Sequence, residues 1–315
     1  MAALTLDSVR VENPARPGDP VCEIDGVAAT PGQIVAVAGE TGYGGTLLAQ
    51  VLAGARRPAD GRILLYGADI TGIDQPARPV ALIPSGGGLL PQLSLRDNIA
   101  FGTRLRYGRP DRERAAQWLA RLGLVDCANR VPDWTTARQR LLAALARAML
   151  NDPDVLVIDA TGGPDPDVAY RGMVEALRRA PVLRRTTVLV MTTRPDLLDA
   201  CDVVAVVADG RVADQGRAGE LRDRCTGYTA PTLFGDPLLL ADDLILTPDD
   251  IAAIDLVPPD AAPAGIVADV RGEPDARRFQ PIAPPESPEA AWLLRLPPGD
   301  AIPPGARIVL TRDAP

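Results

Sequence analysis

At 315 residues, with 46% apolar side chains, the chain carries enough hydrophobic material for a full-sized domain plus a smaller one, which excludes global disorder. A formal net charge of −8 argues against a general nucleic-acid surface, because phosphate backbones are held by clustered positive charge. All 33 basic residues are arginine and histidine is absent, so neither an ammonium nor an imidazole side chain is available for chemistry.

The N-terminus has no basic stretch followed by an apolar core, so no signal peptide is expected. The longest apolar runs, such as residues 203–208, are strand-sized and far short of a membrane span. Cys22, Cys127, Cys201 and Cys225 have neither metal-ligand nor disulfide spacing, which implies a reducing compartment.

The first strong element is an apolar strand over residues 34–38. It runs into Gly39-Glu40-Thr41-Gly42-Tyr43-Gly44-Gly45-Thr46 and then a helical stretch with Leu47, Leu48, Val51 and Leu52. Strand, glycine-rich loop and helix form the context of the phosphate-binding motif G-x-x-x-x-G-K-[ST], with Gly45 standing at the lysine position. Further strands are predicted over 63–66, 80–83, 155–158, 187–191 and 203–207, with helices over 112–122 and 137–150. This alternation reads as an α/β domain with a largely parallel sheet. Composition changes near residues 228–240. Beyond it prolines crowd, and β-like runs at 264–270, 291–296 and 307–311 mark a small all-β module, with the boundary near residue 230.

Several collinear segments carry a family resemblance. Leu52-Ala53-Gly54 and the run from Pro58 to Ile63 follow the glycine loop. Leu93-Ser94-Leu95-Arg96-Asp97-Asn98-Ile99-Ala100-Phe101-Gly102 resembles an "LTVRENIAFG" run. Ala144-Leu145-Ala146-Arg147-Ala148 and Asp209-Gly210-Arg211-Val212 come later. On these the chain resembles the ATP-binding subunits of ABC importers, most closely the sugar, polyamine, ferric-iron and molybdate group. The resemblance implies a P-loop ABC ATPase domain over residues 1–230, with a helical subdomain at about 89–154, and a C-terminal all-β barrel of the TOBE (OB-like) type over 231–315. It also implies Mg2+ and ATP as ligands, permease subunits as partners, pairing as a homodimer or as a heterodimer with an active ABC ATPase, and a cytoplasmic place on the inner face of the cell membrane with no span of its own.

The same resemblance assigns roles. Gly39, Gly42, Gly44, Gly45 and Thr46 fall at the nucleotide loop, Thr46 and Asp159 at the metal, Ser85 at the coupling glutamine, and Thr135, Thr136, Ala137, Arg138 and Gln139 at the LSGGQ signature. Ala160 replaces the general base, Thr192 or Thr193 the switch histidine, and no aromatic precedes Tyr43 to stack on adenine. Loop amides still bind phosphate, but a missing charge-assisted bond costs roughly 1.5–3 kcal/mol, so nucleotide binding is expected to be weak. A missing base alone costs on the order of 10²–10⁴ in rate, so intrinsic hydrolysis is expected to be absent or very weak. By this reasoning Gly45→Lys alone improves binding without creating turnover.

Three readings follow: a degenerate subunit of an import complex, a soluble binding or sensor module released from transport, and, more distantly, an active ATPase. Gly86-Gly87-Gly88 reads as a second phosphate cradle or, more simply, as a flexible replacement for the coupling loop. Tyr43 reads equally as a ligand-stacking or a packing residue. Arg138 and Arg140 read as phosphate contacts across a dimer or, more simply, as exposed helix-face arginines, and Asp165 and Asp167 as a metal site or, more simply, a solvated turn.

Overall fold

The computed structural model describes residues 2–224 apart from 17, 19, 40, 41, 76, 163–166, 181–184 and 209, and beyond them the strands named below. The chain divides into two units, Met1–Asp223 and Arg224–Pro315. The first unit holds a large sheet in the order β6-β5-β1-β2-β11-β10-β4-β9-β8-β7, with β3 paired to β1. Its strands are β1 (Leu4–Glu12), β2 (Pro20–Ile24), β3 (Ala28–Ala29), β4 (Ile34–Gly39), β5 (Asp60–Leu65), β6 (Ala68–Asp69), β7 (Val80–Ile83), β8 (Val155–Ala160), β9 (Thr187–Thr192), β10 (Val203–Ala208) and β11 (Arg211–Gly216).

The strands β10, β4, β9, β8 and β7 are parallel neighbours. Each of β4, β8 and β9 is buried along its whole length, as the near-continuous apolar runs of a sheet covered on both faces require. Register aligns their carboxyl ends: Ala38 and Ala160 both lie opposite Thr192, and Ile83 lies opposite Ile158. Chain leaving β4, β7, β8 and β9 therefore emerges along one edge of the sheet, the edge at which α/β folds bind ligands.

The antiparallel half contains the run expected at 63–66, which is β5 paired with β1 and β6 and so lies outside the parallel set. Strand β1 shows why it escapes a simple periodicity search. Buried Leu4 and Leu6 are followed by buried Val9 and Val11, one residue out of phase, and the break falls at Ser8, in the left-handed region at φ 49°. The register of β1 with β5 shifts across Asp7–Arg10, and Gly61 lies so close to the Ser8 carbonyl that no Cβ fits there.

Between β7 and β8 lie α2 (Leu95–Tyr107), α3 (Arg112–Arg121) and α4 (Ala137–Met149). Ser94 caps α2 by accepting from the Asp97 amide, and Asp111 caps α3 by accepting from that of Arg114. Fully buried Asn98 donates to the carbonyls of Leu90, Leu93 and Ser94 and accepts from the Leu90 amide, which fixes the turn ahead of α2. Beyond β8 come α5 (Asp167–Arg178), α6 (Pro195–Leu198) and α7 (Ala218–Arg224), while α1 (Gly45–Leu52) follows β4. The second unit contains the hairpin β12 (Leu238–Leu240) with β13 (Leu244–Leu246). It also holds a five-stranded antiparallel sheet in the order β14 (Ile251–Leu256), β18 (Arg307–Arg312), β15 (Gly265–Val267), β16 (Phe279–Ala283) and β17 (Trp292–Arg295).

One buried cation anchors α1. Arg78 donates to the carbonyls of Val51 and Leu52 at the end of that helix and to those of Ile73 and Thr71, and burial lowers its pKa. Removing the guanidinium strands the helix-terminal Leu52 carbonyl away from water, whereas the Val51 carbonyl keeps the Gly54 amide. Arg78→Met is expected to lower unfolding free energy by about 2–4 kcal/mol, read as a lower urea midpoint at unchanged slope.

Candidate functional site

The glycine loop starts at Gly39, the last residue of β4, and ends at Gly45, the first of α1. Gly42 and Gly44 have φ 94° and 93°, a left-handed geometry that only glycine adopts without strain, and Gly44 also leaves room for the Val21 side chain. Glu40 and Thr41 lie outside the described residues. Tyr43 points inward. It is 8% exposed, belongs to the hydrophobic cluster with Cys22, Val37 and Met191, and donates from its hydroxyl to the Val37 carbonyl at 2.7 Å. Burial raises its pKa well above the ordinary phenol value, against a backbone hydrogen bond with Thr192 that lowers it, so the hydroxyl stays protonated. Of the two readings of this residue, packing is the one its burial supports.

Thr46 and Asp159, from α1 and β8, are brought together through a third residue. Thr161 donates from its hydroxyl to Asp159 Oδ1 at 2.6 Å and from its amide to the same oxygen at 3.1 Å. The Thr46 and Thr161 hydroxyls lie 2.9 Å apart. Since Thr161 has already given its only hydroxyl proton to the carboxylate, Thr46 is the donor in that contact. Asp159 is 3% exposed, and both bonds fall on its Oδ1.

Around this chain the other edge segments are tied to one another. Ser85 donates to the Gly162 carbonyl, and the Gly86 amide donates to the hydroxyl of Tyr170 at 3.0 Å. Tyr170, on α5, is fully buried, and the Arg194 guanidinium lies 5.0 Å from its ring centroid. Arg194 also donates to the Ala160 carbonyl at 2.9 Å, and its amide donates to the Thr192 hydroxyl. Ala160 and Thr192 are both fully buried and Thr193 is partly so. Gly86, Gly87 and Gly88 form a left-handed turn with φ 73°, 80° and 55°. Arg147 donates to the Gly88 and Gly87 carbonyls at 2.8 and 2.9 Å.

Thr135, Thr136, Ala137, Arg138 and Gln139 lie apart from the loop in sequence, at the start of α4. There Thr136 and Gln139 form a reciprocal capping box, Gln139 N to Thr136 Oγ1 at 3.2 Å and Thr136 N to Gln139 Oε1 at 2.9 Å. Local helix physics thus accounts for the surviving glutamine. Arg138 is exposed, as expected, whereas Arg140 is partly buried and donates to the Thr135 carbonyl. Residues 163–166 and the Asp167 side chain, which include the expected solvated turn, lie outside the described residues. A cavity of about 310 Å³ bounded by Val80, Leu82, Phe101 and Arg147 contains none of the glycine-loop residues.

Sequence reasoning missed Thr161, Tyr170 and Arg194. A hydroxyl two positions after Asp159 was the available signal for the first, and the stripe Ala169, Tyr170, Met173, Val174, Leu177 for the second. Nothing in the sequence pointed to Arg194. Removal of the Thr161 hydroxyl is expected to leave Asp159 under-satisfied: Thr161→Val should cost about 1–3 kcal/mol in urea unfolding while Thr161→Ser costs much less. Equal stability of the two variants would contradict this role.

Residues 26–161 match the ABC transporter family. The Molybdate/tungstate import ATP-binding protein WtpC of Archaeoglobus fulgidus is 33% identical over 213 residues, 66% of this chain and 87% of that protein. The Fe(3+) ions import ATP-binding protein FbpC 1 of Rhizobium meliloti is 30% identical over 218 residues, covering 68% of this chain and 62% of the relative. The chain therefore spans about three fifths of the length of that relative, and 60% of the Putative 2-aminoethylphosphonate import ATP-binding protein PhnT of Salmonella paratyphi A, to which it is 30% identical. Among solved structures, cbiO1 from Clostridium perfringens superposes with a TM-score of 0.59 at 21% identity, over 70% of this chain and 90% of that one. An ATP-binding cassette dimer bound to ADP and Pi superposes with a TM-score of 0.57 at 17% identity, over 68% and 98%. No helix among the described residues is long and apolar enough to cross a membrane. By sequence, and with the fold in agreement, the chain belongs to the ABC transporter family.

Proposed function

We propose that this chain is a degenerate ATP-binding-cassette subunit, with intrinsic ATPase activity absent or very weak, that serves an import complex as a structural or regulatory member. The observation that carries the reading is the end of β8. Position 160 is a buried alanine whose carbonyl is held by Arg194, so no carboxylate stands next to Asp159 to orient a water. Glycine at 45, serine at 85 and threonines at 192 and 193 point the same way. Asp159 and Thr46 fit a magnesium–nucleotide complex poorly, because the Thr46 hydroxyl and one oxygen of Asp159 are already joined to Thr161, and among the described residues no other acidic or thiol cluster offers a metal site. Nucleotide binding on this reading is weak, in the high-micromolar range or above, given the lost charge-assisted contact.

The relatives named above carry importer names, which supports permease subunits as partners and a place on the inner face of the cell membrane. Their printed solutes differ, so no solute is assigned. On the same reading residues 1–230 form the ABC ATPase-like domain, with its helical subdomain at about 89–154. Residues 231–315 form the TOBE-like barrel, and the subunit pairs with itself or with an active ATPase. The direct test is phosphate release from magnesium-ATP by the purified chain. Release at background is the expected result. Sustained release by the wild type that disappears in Asp159→Asn would place hydrolysis in this site and overturn the reading.

A further inference from the structure

The tyrosine and the missing lysine of the glycine loop are spatially linked. A Cβ on Gly45 would lie 2.5 Å from Tyr43 Oη and 2.6 Å from its Cζ, with Thr161 Cγ2 also at 2.6 Å. At the other end of the same ring, a Cβ on Gly39 would lie 2.5 Å from Tyr43 Cγ. Tyr43 thus spans the loop from the last residue of β4 to the first of α1, filling the space that side chains at both ends would need. It does not yield easily: its ring is buried and its hydroxyl is tied to the Val37 carbonyl. Real Cβ atoms do not approach heavy atoms this closely, so any residue larger than glycine at 45 must displace the ring.

We propose that Tyr43 and Gly45 are an interlocked pair, in which Tyr43 is the resident filling of the loop and excludes every side chain, lysine included, from position 45. The proposal deepens the reading of a degenerate site and rests on it only in taking this loop as the former phosphate site. It corrects the expectation that Gly45→Lys alone improves nucleotide binding, since the new side chain has no room to start. It also makes the absence of lysine at this position a steric requirement of the present fold, beyond a matter of composition.

The test is a thermal-unfolding cycle on the full chain. Gly45 is not in the left-handed region and begins a helix, so on backbone grounds alone Gly45→Ala should raise Tm by about 1–3 °C. The interlock predicts the opposite sign, a fall of about 3–8 °C. It further predicts that Gly45→Ala costs far less in a Tyr43→Ala background. Tyr43→Leu serves where that background does not fold, since leucine keeps the apolar filling and withdraws the two atoms nearest position 45. Binding of magnesium-ATP supplies a second readout: Gly45→Lys gains nothing over wild type, and Tyr43→Ala with Gly45→Lys binds about 10-fold tighter than Gly45→Lys alone. A rise in Tm for Gly45→Ala, or a loss relieved by Thr161→Ser but not by changes at Tyr43, overturns the interlock. Tighter binding by Gly45→Lys alone does so as well. None of these outcomes touches hydrolysis by the wild type, which is decided separately by phosphate release.

Discussion

A carboxylate buried at the end of a parallel strand has to be hydrogen-bonded, ion-paired or neutralised, and Asp159 meets that demand through Thr161. The consequence reaches further than one side chain. With the Thr161 hydroxyl proton committed to Asp159, its oxygen accepts from Thr46, which joins β8 to the first turn of α1. Two residues that a nucleotide site would turn toward a metal are here both bonded to Thr161. At the end of the sheet Thr46, Thr161 and Asp159 Oδ1 thus form one hydrogen-bonded chain.

The surrounding segments follow the same pattern. Chain after β7 is tied to chain after β8 through Ser85 and Gly162, and to α5 through Gly86 and Tyr170. Chain after β9 reaches back to β8 through Arg194 and Ala160, with the guanidinium laid over the Tyr170 ring. Cation, ring and amide share one aromatic hub, so a change at Tyr170 is felt at three loops. Such mutual ties favour a single arrangement of the edge, whereas a hydrolytic cycle draws on loops that rearrange around the γ-phosphate. This contrast supports the structural or regulatory role proposed for the subunit.

Much of the fold was legible because the parallel strands are buried on both faces: β4, β8 and β9 appear in the sequence as unbroken apolar runs. The edge of the sheet was less so. Strand β1 hides behind a phase slip at Ser8, and α2 has a polar, arginine-rich sequence whose cap Ser94 is the clearer signal. At the site, identities were readable and their partnerships were not. Sequence spacing located Gly45 and Tyr43, but only the folded loop places the phenol hydroxyl where a side chain at 45 would begin. Likewise Gly86-Gly87-Gly88 suggests flexibility by composition, whereas its carbonyls are claimed by Arg147 from sixty residues away on α4. Long-range hydrogen bonds leave no local periodicity to detect.

The central claim is that the end of β8 is held by the chain's own side chains and does not await a nucleotide. Amide hydrogen exchange across Asp159–Thr161, measured with and without millimolar magnesium-ATP, tests it most directly. The account predicts strong protection in the free protein and no further slowing on adding nucleotide. Fast exchange in the free protein that becomes slow with magnesium-ATP would show a ligand-organised site and contradict the account.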